Sequence, residues 1–202
     1  MNKTITLLLI LISHFAFAQE NEDAVKSVDS LQSDSYFTML EFSIGHANHN
    51  SRQEGNHLSN GNSTALSLRA GFKTSNFTYF KSGVDLFSDV SFLDYNYTSY
   101  RIPLLAGVQF DFKNSSPLQA SAFIDTGIYY RKTSINSDAN SITTNSTYGL
   151  QSNMGFQIPL SANLYAILLF NINVDFDEAI EIDDDEVQLL DTALQIGLGY
   201  RF

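Results

Sequence analysis

The residues able to do chemistry fall into three groups. His46, His49 and His57 sit in the first long polar stretch. Imidazole nitrogens bind zinc, but this spacing matches no standard zinc site, and neither a cysteine nor an arranged carboxylate accompanies it. A polar surface loop is the favoured reading. Asp175, Asp177, Glu178, Glu181, Asp183, Asp184, Asp185, Glu186 and Asp191 form an acidic stretch. Clustered carboxylates bind Ca²⁺ or Mg²⁺, yet the EF-hand spacing D-x-D-x-D-G is absent, as is any glycine. A solvated acidic loop is favoured there. The third group carries both signs on alternate residues: Glu41, Arg69, Lys73, Lys81, Asp85, Arg101, Asp111, Asp125, Arg131 and Arg201. No nucleophile–base signature is recognisable, so no catalytic residue, metal ligand or cofactor is expected and the chain is not read as an enzyme.

The bulk properties narrow the classes. Lys and Arg number 11 against 22 Asp and Glu, a net charge of −11. That excludes nucleic acid as a partner, because binding phosphate needs a basic surface. There is no cysteine, hence no disulfide framework. The 10 Tyr and 16 Phe with only 3 Pro suit an all-β chain. After the N-terminus no run of about 18 apolar residues occurs, so no membrane-spanning helix is expected.

The elements that must position the charged group are strands. Residues 1–18 read as a secretory signal peptide: Lys3, an apolar core over Thr4–Ile12, and Ala16-Phe17-Ala18 before a cleavage site after Ala18. Residues 19–34 read as a flexible periplasmic lead-in, and residues 35–202 as the barrel. Eight segments then alternate apolar and polar: Tyr36–Ala47, Ser63–Lys73, Phe77–Phe87, Tyr95–Phe112, Leu118–Arg131, Ser146–Ile158, Asn163–Asp175 and Thr192–Phe202. Between them polar connections alternate long and short. Pro103 lacks a ladder donor, so a bulge or a locally unpaired site is expected there. The segment from Tyr95 exceeds the roughly 9–11 residues a span needs, and a projecting strand edge captures partner strands.

Alternation does not say which face is inside. Three features decide for a membrane barrel with a polar lumen over a soluble barrel with an apolar one. Aromatics bracket the apolar face: Tyr36, Phe72, Phe80, Phe110, Phe112, Phe156, Tyr200 and Phe202 at one level, Tyr100, Tyr130, Tyr148 and Phe176 at the other. Two such tiers match the aromatic girdles of membrane interfaces. Glycines recur on the polar face, as a narrow interior requires. No charge falls on the apolar face within the spans. Ten charges inside an eight-stranded barrel are expected to pair into a structural plug, since an unpaired buried charge is expensive.

The ending T-A-L-Q-I-G-L-G-Y-R-F resembles the C-terminal assembly signal of outer-membrane barrels, with Leu198, Tyr200 and Phe202 carrying it. Tyr100-Arg101-Ile102-Pro103-Leu104-Leu105 and the glycine-rich fifth and sixth strands are similar to the bacterial outer-membrane β-barrel family of PorT-type and OmpX/OmpA-like proteins. The resemblance covers residues 36–202. It implies an eight-stranded, antiparallel, up-and-down transmembrane β-barrel in the outer membrane of a Gram-negative bacterium. It implies contact with outer-membrane lipids, with the barrel assembly machinery and with other envelope proteins in secretion or adhesion. The lumen residues Glu41, Arg69, Lys81, Asp85, Arg101, Asp125, Arg131 and Arg201 form the expected polar cluster. A narrow channel for ions or small solutes is the second reading, a lipid-modifying barrel enzyme the third.

Overall fold

The computed structural model describes residues 37–202 except 54–55, 76, 93–94, 113–119, 137–141, 177–179 and 183–184. The expected signal peptide, the lead-in, Tyr36 and the short turn at 113–117 lie outside the described residues. Nine strands follow in order: β1 (Thr38–Gln53), β2 (Asn56–Lys73), β3 (Thr78–Phe92), β4 (Tyr95–Asp111), β5 (Ser121–Asn136), β6 (Ile142–Pro159), β7 (Leu164–Asp175), β8 (Ile180–Ile182) and β9 (Asp185–Arg201). Each of β1–β7 pairs antiparallel with its neighbour, β7 pairs with β9, and β9 pairs with β1. Eight strands therefore close into a barrel. The short β8 pairs only with the first residues of β9.

The faces are those that the alternation sets. Leu68, Ile102, Leu104, Ile128, Ile196 and Leu198 point outward and are exposed, while Arg101, Arg131, Asp125 and Asn153 point inward and are buried. The two aromatic tiers stand on the outer face, with Phe72 against Phe80 at 5.6 Å, Tyr130 against Tyr148 at 5.5 Å and Tyr200 against Phe202 at 4.9 Å. At Pro103 the ladder is locally open on one side. Ser82 pairs with Leu104 and Asp85 with Arg101, with no pairing between, and the Ser82 hydroxyl donates to the Pro103 carbonyl instead.

The long connections differ from expectation. The polar stretch Asn48–Asn62 is mostly ladder, with β1 and β2 paired from Thr38↔Phe72 up to Gln53↔Asn56. Likewise β3 and β4 run to Phe92↔Tyr95 and β5 and β6 to Asn136↔Ile142. Part of the acidic stretch is also strand, because β9 begins at Asp185. The reason is solvent. Above the apolar band the outward residues meet water, so His46, Asn48, Asn62 and Thr64 replace aliphatics and the period-two hydrophobic signal fades while the backbone ladder continues.

A small apolar core lies inside the lumen. Met39, Tyr79, Phe123, Tyr165, Ile167 and Leu169 form one buried cluster, with Phe37 against it. The rings lie where strands lack side chains. A Cβ on Gly107 would come within 2.5 Å of Tyr79 Cζ, one on Gly149 within 2.3 Å of Tyr129 Cζ, and one on Gly199 within 2.2 Å of Tyr165 Cζ. Each ring crosses its glycine to a carboxylate on the next strand. Tyr79 donates to Asp125 at 2.9 Å, Tyr165 to Glu41 at 2.9 Å, and Tyr129 to Asp175. The pairings repeat: Tyr79↔Gly107↔Asp125, Tyr129↔Gly149↔Asp175 and Tyr165↔Gly199↔Glu41. Aromatic cover of a strand glycine is a known device for fixing sheets. Gly199→Ala is expected to displace the Tyr165 ring and to cost about 1–3 kcal/mol, the range for overpacking. Urea unfolding in detergent micelles reads the loss, and Tyr165→Ala in the same background should restore part of it.

Candidate functional site

The lumen is the concentrated polar site. Its lower tier joins Glu41, Lys81, Asp125, Arg69 and Asp85. Lys81 Nζ lies 2.8 Å from Glu41 Oε2 and 3.9 Å from Asp125 Oδ2, over the rings of Tyr79 and Phe123. Arg69 grips Asp85 with both carboxylate oxygens engaged, Nη2 to Oδ1 at 3.0 Å and to Oδ2 at 2.9 Å. Gln151 donates to Asp85 and Asn153 to Asp125, while Gln157 and Tyr165 donate to Glu41. Arg201 finds no carboxylate among the described residues. It donates to Gln157 at 3.0 Å and stacks over Tyr165 and Phe37.

The upper tier is built on two carboxylates that the strand boundaries read from sequence left at the edge of a loop. Asp191 ion-pairs with Arg101 and Arg131, and Arg131 Nη1 reaches Asp175 Oδ2 at 2.5 Å. Arg101 also lies over the Phe87 ring at 4.2 Å. The lumen thus sets five carboxylates (Glu41, Asp85, Asp125, Asp175, Asp191) against five cations (Arg69, Lys81, Arg101, Arg131, Arg201). Beside the lower tier, the void lined by Glu41, Ser43, Ser67, Arg69, Lys81 and Phe123 has room for about one water molecule. All eight residues of the expected polar cluster are inward-facing. Of the two others, Lys73 is buried near the Phe37 ring, and Asp111 is exposed at the lower rim.

His46 and His49 do not converge. His46 faces outward and His49 inward, and the His57 side chain lies outside the described residues. The acidic side chains at 177–188 lie outside them too. Among the described residues no three His, Cys, Asp or Glu side chains converge as a metal site would require.

His49 stands instead in a relay. Its Nδ1 lies 2.7 Å from Asp191 Oδ1 and its Nε2 lies 2.7 Å from Ser63 Oγ. A carboxylate only accepts, so Nδ1 carries the proton, Nε2 offers its lone pair and the Ser63 hydroxyl donates to it. The sequence concealed this group because its three members come from β1, β2 and β9. One signal was present: His49 has the parity of Ser43 and Gly45, and Asp191 that of Ala193 and Gln195, all inward. His49 is above the apolar band, since its flanking outward residues are Asn48 and Asn50. Burial first, then Arg131 and His46, holds its pKa down from 6.5 to about 3, against an opposing pull from Asp175.

Leu198, Tyr200 and Phe202 form a continuous outward row on β9 and just beyond it.

Solved structures share this fold. Neisserial surface protein A superposes with a TM-score of 0.60 at 14% identity, covering 81% of this chain and 97% of that one. The N-terminal β-barrel domain of OprF from Pseudomonas aeruginosa gives 0.51 at 11% identity, over 79% and 97%. No protein-family model matches the sequence, and no curated protein matches it. The chain has the closed eight-stranded antiparallel barrel of outer-membrane proteins.

Two outcomes are expected. Asp85→Ala leaves the Arg69 guanidinium buried without its carboxylate and should cost about 3–5 kcal/mol in urea unfolding, whereas the double change Arg69→Met with Asp85→Leu should recover most of it. His49 stays neutral in the fold but takes a proton near 6.5 once unfolded. The stability it supports is therefore present above about 6.5 and drains away as the pH falls toward about 3. The urea midpoint should drop between about pH 7.5 and about pH 4.5. A His49→Gln barrel should lose less over the same interval.

Proposed function

We propose that this chain is an integral outer-membrane barrel with a sealed lumen, and that its work is docking envelope or surface partners on the strands that project beyond the bilayer. The observation that carries this reading is the forking of the barrel above the apolar band. Pairing of β2 with β3 stops at Thr64↔Ser88, although β2 continues upward from Ser63 to Asn56 and β3 on to Phe92. On the far side β7 ends at Asp175, and its last link to β6 among the described residues is Phe176 N–H to the Tyr148 carbonyl at 2.8 Å. The upper barrel is thus two walls, one of β9, β1 and β2 and one of β3–β6. At the fork the facing edges of β2 and β3 no longer pair with each other, while the β9 edge carries the short β8. Such edges bind extended polypeptide by β-augmentation. The partner is accordingly an exported protein offering an extended strand, in adhesion or in secretion.

The other assignments belong to the same proposal. The outward aliphatics contact lipid, and Leu198, Tyr200 and Phe202 engage the assembly machinery. The PorT-type relation rests on Tyr100–Leu105. The paired lumen charges weigh against conduction, the second reading. The third, a lipid-modifying enzyme, would place its reacting groups at the outer rim.

Photo-cross-linking probes at Leu58 and Ser91, placed in native outer membranes, should capture the same protein, and a probe at lipid-facing Leu198 should not. Identical adduct patterns at all three positions would count against docking at the edges. Planar-bilayer recordings of the purified chain should be silent. Stepwise conductance would return the channel reading to first place.

A further inference from the structure

The lumen network contains one group whose geometry exceeds what a plug needs. Most lumen contacts tie a cation or an amide to a carboxylate. Ser63, His49 and Asp191 instead form a directed line: hydroxyl to imidazole to carboxylate, both links at 2.7 Å. The proton positions derived above are those that general-base activation of a hydroxyl requires. We propose that Ser63 is a nucleophile that accepts an acyl group from a small activated carboxylic ester, with His49 as its general base and Asp191 orienting His49.

Three further observations support this site. The first is access. Ser63 is one position above Thr64↔Ser88, the last pair between β2 and β3, so it stands at the foot of the seam between the two walls. It is 7% exposed, against 0% for His49 and 1% for Asp191, which makes Ser63 the most accessible residue of the three. Opposite it on β1 is Ala47, the smallest side chain that could stand there. The second is the hold on Asp191. Arg101 and Arg131 engage its second oxygen, fixing the carboxylate as an anion in one orientation. The third is a supply of uncommitted donors. Arg101 is fully buried, yet its Nε and Nη1 have no hydrogen-bond partner among the described residues, and neither do Ser99 Oγ and Thr133 Oγ1. Buried donors without acceptors are rare and call for an explanation. Arg101, tied to the group through Asp191, would have one as a donor to a carbonyl oxygen on which negative charge develops.

In the first step Ser63 Oγ bonds to the ester carbon while its proton moves to His49 Nε2. The carbon–oxygen bond to the leaving alcohol or phenol then breaks, and the imidazolium returns the proton to that oxygen. Water attacks the acyl carbon in the second step, losing a proton to His49, and as the bond from that carbon to Ser63 Oγ breaks the imidazolium returns the proton to Oγ. The products are the carboxylic acid and free Ser63. The burial that keeps His49 neutral also makes it a weak base in both steps, so acylation and turnover are both expected to be slow. This activity goes beyond the docking role and does not depend on it.

The test uses the full chain folded in detergent micelles, with folding confirmed by heat-shifted gel mobility, and a fluorophosphonate probe. The expected result is a single adduct mapped by peptide mass spectrometry to Ser63, lost in Ser63→Ala and formed at least about tenfold more slowly in His49→Gln. No adduct at Ser63 in the folded barrel overturns the proposal. So does an adduct whose rate is indifferent to His49→Gln. Should His49→Gln fail to fold, two cysteine variants decide. Ser63→Cys, which keeps the imidazole beside the sulfur, should react with iodoacetamide at least about tenfold faster than Ser43→Cys, whose position is buried against Gln195. Equal rates would sink the idea.

Discussion

Closure of the sheet between β1 and β9 is the constraint on which everything else rests. The two strands meet in register from Met39↔Arg201 to Arg52↔Gln188. Without that ladder both would present unpaired backbone groups to lipid, where each costs several kcal/mol. Closure brings Tyr165 on β7 to Glu41 on β1, and His49 on β1 to Asp191 on β9. Neither contact exists in an open sheet. The lumen network is therefore a consequence of the ring, and it ties together strands far apart in sequence.

The ring also inverts the usual distribution of chemistry. Lipid takes most of the aliphatic side chains, so the charges are left with one another, the lumen hydroxyls and amides, and the faces of a few rings. Burial of one charge forces burial of its counterpart. The five carboxylates and five cations come close to mutual neutrality, so the net charge of −11 must reside elsewhere in the chain. The apolar cluster around Phe123 and Ile167 fills the remaining space, much as a soluble core would.

The sequence made the fold legible because lipid and lumen impose opposite demands on alternate residues. Leu194–Phe202 and Tyr100–Phe112 show this at sight. Legibility failed where that contrast ends. At Asn48–Asn62 both faces are polar, and the strands went unseen although they continue. His49 and Asp191 were missed for the same reason: each stood in what read as loop, and the relay they form with Ser63 needs register that alternation does not carry. Tyr79, Tyr129 and Tyr165 were hidden differently. They are aromatics on the polar face, and only the glycine across the ladder accounts for them.

Those tyrosines have a consequence for assembly. A strand that pairs one residue out of register turns its apolar side chains inward and is rejected by the bilayer. A strand that slips by two keeps every face correct, and hydrophobicity cannot detect the mistake. Steric fit can. After such a slip Tyr129 would face Thr147 or Gln151 instead of Gly149, and its hydroxyl would miss Asp175. The same check recurs at Gly107, where Tyr79 would meet Leu105 or Gln109, while at Gly199 a slip toward Gly197 is detected by the loss of the Tyr165–Glu41 hydrogen bond. The three rings act as gauge pins. They distinguish the one stagger in which the barrel closes correctly from the neighbouring staggers that lipid alone would accept.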